Sequence, residues 1–317
     1  MIKLLSLVQN ENMKIYRRMR TWILLVLLIV FCCLVSFIDH YDKSNSQGGD
    51  WRASLQQSIQ DNQAQLASPD LPEFIKEQME DSIKISQHSL DNNIPPVQNT
   101  MWGGVMTLSG LVQIITLFTV IIAGDMVASE FTWGTIKLLL IRPASRTKIL
   151  FSKYVSTLLF SLLLLLVLFL SAILVNGILY GFQDVGLPYL SVGANGVVQE
   201  SSMPLHVFGT YALKLVELVM VVTLAFMIST VFRSSSLAIG FSIFIMLAGQ
   251  LVTLFLMRYS WGKYYLFANT DLTQYLEGGR PLIEGMTMGF SIAVLAVYFV
   301  LFNVLSWIIF KKRDVAA

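Results

Sequence analysis

Six stretches of this chain, 21–38, 103–124, 154–176, 212–232, 237–257 and 287–310, are almost uninterrupted runs of apolar residues. That feature leaves few folds open. An α-helix rises about 1.5 Å per residue, so crossing a hydrocarbon core about 30 Å thick takes about 20 residues, close to the length of each run. Strands of a membrane barrel would alternate apolar and polar positions, and these runs do not. A helix also satisfies its own backbone hydrogen bonds where no water can reach. Hydrophobic residues make up 55% of the chain and charged residues 13%, whereas a soluble domain carries roughly a quarter charged. The expected fold is an all-α integral membrane protein with six transmembrane helices.

Orientation follows from the cations. With a cytoplasmic N-terminus, the inner segments hold fourteen of the 22 Lys and Arg. They are Lys3, Lys14, Arg17, Arg18 and Arg20, then Lys137, Arg142, Arg146, Lys148 and Lys153, then Arg233, then Lys311, Lys312 and Arg313. Positive charge collects on the cytoplasmic side of membrane helices, so both termini are expected inside. The net charge of +2 hides this asymmetry and points to no nucleic-acid partner; membrane lipid is the surrounding partner. The first run is followed by SFIDHYDKS without a small-residue cleavage site, as in a retained helix rather than a signal peptide. The two cysteines, Cys32 and Cys33, lie inside it, so no disulfide framework is expected outside.

Between the runs the segments differ in character. Residues 1–20 place Met1, Leu4, Leu5, Val8, Ile15 and Met19 near helical spacing with most cations off that stripe. An amphipathic helix on the inner face and a plain positively charged flank are both compatible with this. Residues 39–102 form an expected extracellular insertion, in which ten Asp and Glu face Lys43, Arg52, Lys76 and Lys84. Leu55, Ile59 and Leu66, and then Ile75, Met79 and Ile83 behind the breaker run Ser68 to Pro72, mark two helices. Too few apolar residues are present for an independent core, so a helical hairpin against the outer ends of the spans is expected. Residues 177–211, rich in Gly and Pro after Gly181, read as an irregular outer connection. Residues 233–236 make a tight inner turn, 258–286 an outer segment, and 311–317 an inner tail. In the outer segment Tyr259, Trp261, Tyr264, Tyr265 and Phe267 match an interfacial aromatic belt.

Lys214 and Glu217 fall in the fourth run, near its outer end. An i, i+3 pair within snorkelling reach of the interface and a polar lining of a substrate path are both open. Gln113, Asn176, Gln250 and Asn303 raise the same question and suit interhelical hydrogen bonding. Much other chemistry is missing. No GxxxxGK[ST] motif occurs, so the chain has no phosphate-cradling loop of its own. His40, His88 and His206 are scattered and form no metal-ligand spacing. No GxSxG elbow and no TVGYG filter is present. The chain is therefore expected to be no enzyme and to hold no cofactor or metal.

One charged island remains, the inner segment 125–153, DMVASEFTWGTIKLLLIRPASRTKILFSK. The helix of the second span is expected to continue through Glu130 to Thr135, with Gly134 and Thr135 then allowing a break, and Pro143 to stop the short apolar patch 136–140. Ser145 caps the helix that resumes at Arg146. Apolar residues for a partner's groove with cations at the ends suit a docking element, although an ordinary positive-inside loop has the same composition.

The order Glu130, Gly134, Thr135, Lys137, two leucines, Pro143, Ser145, Arg146 resembles the cytoplasmic loop of ABC-2 type permeases, the membrane subunits of many bacterial ABC exporters. Six spans, inner termini, an amphipathic start and no Walker motif are similar to that family across the chain, and LVQNENMKIYRRMRTW resembles permeases of Gram-positive bacteria. The long insertion after the first span and the extended segment before the last depart from the family's compact form. The resemblance implies a bacterial plasma membrane location, a separate cytosolic ATPase that carries the ATP, and a second permease chain as homodimer or heterodimer. It makes Glu130, Gly134, Thr135, Lys137, Pro143, Ser145 and Arg146 the coupling residues; the apolar spans and the outer aromatic segment are consistent with an amphiphilic cargo, such as a peptide antibiotic or lipid-like drug. The alternatives are a non-transporting scaffold or sensor with a ligand-binding insertion, and a glycan or ion exporter.

Overall fold

The computed structural model describes residues 4–46, 50–67, 73–135, 144–193, 195–276, 281 and 283–312. Among them the chain is nearly all-α, with six helices long and apolar enough to cross a membrane. After the short α1 (Leu4–Tyr16) come α2 (Met19–Ser46), the paired α3 (Trp51–Leu66) and α4 (Glu73–Asp91), and α5 (Met101–Leu108), which leads through a 3-10 turn into α6 (Val112–Thr132). α7 (Arg146–Tyr180), α8 (Met203–Val231), α9 (Ser235–Leu256), the short α10 (Leu266–Thr270) and α11 (Met288–Lys312) complete the order. The spans are α2, α5 with α6, α7, α8, α9 and α11.

α6 and α8 form the centre. In α8, 61% of the most apolar stretch is buried within the chain, against 17% in α11. The outer helices α2, α9 and α11 expose Phe37, Phe244, Leu251, Phe255 and Val300, as helices must where the solvent is lipid. Where backbones meet, small polar groups join the helices. Tyr154 on α7 shares a 2.7 Å hydrogen bond with Thr223 on α8, and Asn176 on α7 donates to Ser36 on α2 at 3.2 Å. Asn303 on α11 donates to Phe299 O of its own helix at 2.9 Å and also meets Tyr154 of α7. Cys32 is buried, Cys33 is exposed, and both are free thiols.

The crossings give the bundle two ends. At one, the basal end, α1, the start of α7, the turn after α8 and the C-terminus of α11 meet: Thr132 donates to Arg233 O at 3.2 Å and Arg146 to Lys311 O at 3.0 Å. At the other, distal end sit α3, α4, a β-hairpin and the segment before α11.

Three expectations change here. The connection 177–211 is not irregular: β1 (Pro188–Val192) pairs antiparallel with β2 (Val198–Ser202), Leu190 opposite Glu200. α4 packs on this hairpin, with His88 Nε2 3.1 Å from Glu200 Oε1. The aromatic segment divides, because only Tyr259, Trp261 and Tyr264 are exposed. α10 turns into the bundle and is buried throughout. Asn269 satisfies Lys263 O and Tyr265 O, each at 2.8 Å, and accepts from Ser291 at 2.7 Å. The Phe267 ring fills the space beside Gly249, where a β-carbon would come within 2.3 Å of it. α1 buries Val8 and Ile15 of the expected stripe but joins them with Leu7 and Glu11, while Leu4, Leu5 and Met19 are exposed.

Candidate functional site

The basal site grows from α1. Leu7, Val8 and Ile15 lie on the face against α7, where Ser156 donates to Val8 O at 3.2 Å, and Glu11 shares that face. Its carboxylate accepts from Lys153 of α7 and Lys14 of α1, each at 2.8 Å. Glu130, at the end of α6, accepts from the same two lysines, at 2.8 Å and 3.1 Å. Two cations and two carboxylates thus alternate in a closed ring that joins α1, α6 and α7. The Lys153 side chain is only 2% exposed, and the void beside the ring is about 20 Å³, room for about one water. Burial opposes ionisation of Glu11, but Lys153 and then Lys14 outweigh it and hold its carboxyl below the ordinary 4.5. Burial likewise works against the Lys14 ammonium, and Glu11 and Glu130 raise its pKa above 10.5. A second cluster lies alongside, where Asp125 of α6 accepts from Arg18, Arg20 and Ser235.

The island 125–153 therefore begins and ends on side chains turned into the bundle. Glu130, expected at a partner surface, faces Lys14 and Lys153, and Thr135 donates to its carboxylate. Gly134 adopts a left-handed φ of +68°, the conformation that glycine takes most readily after a helix C-terminus. Ser145 caps α7 by accepting from Lys148 N at 3.3 Å. Arg146 reaches across to the end of α11. Lys137, Arg142, Pro143 and the apolar patch 136–140 lie outside the described residues, as do the breaker run 68–72, Lys3 and Arg313.

Residues 78–316 match the family described as protein of unknown function, DUF2705. The chain belongs to DUF2705. It is also similar to two proteins of Bacillus subtilis strain 168. It is 41% identical over 317 residues to the uncharacterized protein YhcI, covering 99% of this chain and all of that one. To the uncharacterized membrane protein YdbK it is 33% identical over 205 residues, 64% of this chain and 78% of that one. The part matched as DUF2705 includes Glu130 and Lys153 but leaves out α1 with Glu11 and Lys14, so the ring joins matched and unmatched parts.

A distal network lies wholly within the DUF2705 match. Lys214 and Glu217 stand at the middle of α8 rather than near its end, because that helix starts at Met203. Lys214 donates to Glu217 and to Asp271, both at 3.1 Å. Asp271, just after α10, was not anticipated, since only the inward turn of that helix brings it to α8. Burial opposes its ionisation, but Thr273 and Lys214 hold its carboxyl below 3.8. Gln113 of α6 donates to Glu217 at 2.8 Å and accepts from Gln250 of α9 at 3.2 Å. This network opens on a cavity of about 1080 Å³ bounded by α3, α4, β1 and the distal ends of α5 and α8, with Lys214 on its floor.

Proposed function

We propose that the chain is the membrane-spanning permease subunit of an ATP-driven exporter of the ABC-2 type. It lies in the bacterial plasma membrane with the basal end cytoplasmic and α3, α4 and the β-hairpin extracellular. It works with a separate cytosolic ATPase and a second permease chain, identical or not, and moves an amphiphilic compound outward. The cations at the basal end support that orientation, and the lack of a phosphate-cradling loop in the sequence supports an energy source on another protein.

The observation that carries the proposal is the attachment of the 130–146 segment at both of its edges. Glu130 ties one edge to α1 and α7 through the ion-pair ring, and Arg146 with the Ser145 cap ties the other to α7 and α11. A partner that shifted this segment would push on the bundle as a rigid body. Closure of an ATPase pair around ATP supplies such a shift. In this reading Gly134 and Thr135 shape the bend, Lys137 and Pro143 belong to the docking surface, Arg146 stands at its edge, and Glu130 is the anchor behind it.

Affinity purification of the chain from its native membrane, under conditions that keep complexes intact, is expected to recover a Walker-containing ATPase. Recovery without any ATPase overturns the proposal. The Glu130→Ala, Arg146→Ala double variant is expected to lower that recovery with membrane insertion intact. A non-transporting sensor is the second reading, favoured by the distal cavity; a co-purifying kinase in place of an ATPase would support it.

A further inference from the structure

The distal cavity has two kinds of wall. Trp51 and Leu55 of α3, Ile85 of α4 and Met106 of α5 supply apolar surface. Ser54 and Ser58, one turn apart on α3, face the same space as Ser82, Ser86 and Ser89, which follow helical spacing on α4. At about 1080 Å³ it is slightly above the usual range of small-molecule sites, roughly 300–1,000 Å³.

Charge gives the wall a sign. Among the described residues, the charged side chains lining the space are Asp81 of α4, 3.5 Å from Lys84, and Lys214 of α8. The floor cation is outweighed, because Lys214 is shared by Glu217 and Asp271, one positive charge between two negative ones. The Asp271 side chain is 45% exposed, beside the floor residues Lys214 and Thr273. A concave site beside an excess negative charge concentrates cations.

We propose that this cavity binds a cationic amphiphile, its apolar body against Trp51, Leu55, Ile85 and Met106 and its ammonium or guanidinium group among the serine hydroxyls toward Asp271. This deepens the exporter reading by naming the charge class of the compound and where it is held, and rests on that reading only for what happens after binding.

The test uses the full chain in phosphatidylcholine nanodiscs and two probes with the same body and label but opposite heads: 11-(dansylamino)undecylamine and 11-(dansylamino)undecanoate. Saturable dansyl emission above that of empty nanodiscs is the readout. The amine is expected to bind about tenfold or more tightly than the carboxylate. Asp271→Asn should narrow that ratio, and Ser58→Trp, which fills the space between α3 and α4, should weaken amine binding about tenfold. Equal binding of the two probes, no saturable amine binding, or amine binding unchanged by Ser58→Trp overturns the proposal. If Ser58→Trp does not fold, the head-group preference of the unaltered chain decides. Binding requires no ATPase, so a purification without one overturns the exporter reading and leaves this proposal standing, while lost head-group preference does the reverse.

Discussion

Two of the charged networks among the described residues are built from the same kinds of side chain, and they differ in closure. At the basal end, Glu11, Lys14, Glu130 and Lys153 form a neutral ring beside a void of about 20 Å³. At the middle of α8, Glu217 and Lys214 with Asp271 form an open line with one unbalanced negative charge, beside the distal cavity of about 1080 Å³. A closed ring fixes parts of a fold against one another, since every charge already has its partners. An open line keeps a charge available to something else. Ion pairs inside a membrane protein are thus not one kind of feature; the space around them separates fastening from binding.

The comparison breaks most readily at Lys153. Lys153→Met leaves Glu130 and Glu11 short of a partner in a buried place, and a loss of about 3–5 kcal/mol is expected, read as thermal unfolding in nanodiscs. Adding Glu130→Gln should recover part of it, and a loss no larger than that of a surface residue would mean that the ring is not structural. Glu217→Leu should cost less, about 1–3 kcal/mol, because Lys214 keeps Asp271; a cost equal to that of Lys153→Met would erase the distinction between the networks.

Acidity sharpens the basal side. The Glu11 carboxyl is held below its ordinary 4.5, so its contribution is complete above pH 4.5 and is lost as pH falls through the lowered value. The Lys14 pKa is raised above 10.5, so its contribution is lost only as pH rises through that higher value. Hydrogen exchange at the α1 amides should therefore be flat between these limits, after correction for intrinsic rates, and should accelerate on acidification. Acceleration beginning near neutral pH would contradict the ring. The smallest effect is expected for Arg146→Ala, about 0.3–1 kcal/mol, the value of a cation at a helix C-terminus, measured by the same unfolding assay.

The spans were legible because lipid demands apolar length, but their ends were not. α2 runs to Ser46 and α7 from Arg146 to Tyr180, beyond the apolar runs 21–38 and 154–176, since a helix does not stop where its side chains become polar. The hairpin was missed because two five-residue strands leave little alternation to read between glycines. Within the sites, the Gly134 bend and the Ser145 cap are local chemistry and were visible in the residues themselves. The ring is not local: Glu11 and Lys153 are far apart in sequence, and its only signals were a lone acid in a basic stretch and a lysine just before an apolar run. Asp271 carried less signal still, because nothing in the aromatic segment announces that α10 turns inward.

α7 has a mechanical consequence. Its 35 residues make one unbroken rod about 52 Å long, with Lys153 fixed in the ring near its foot and β1 following its far end. A tilt of about 5° at the foot of such a rod would carry the opposite end about 4–5 Å. A stroke small enough to leave every ion pair at the base intact would still be magnified into a displacement as wide as a side chain at the opposite surface.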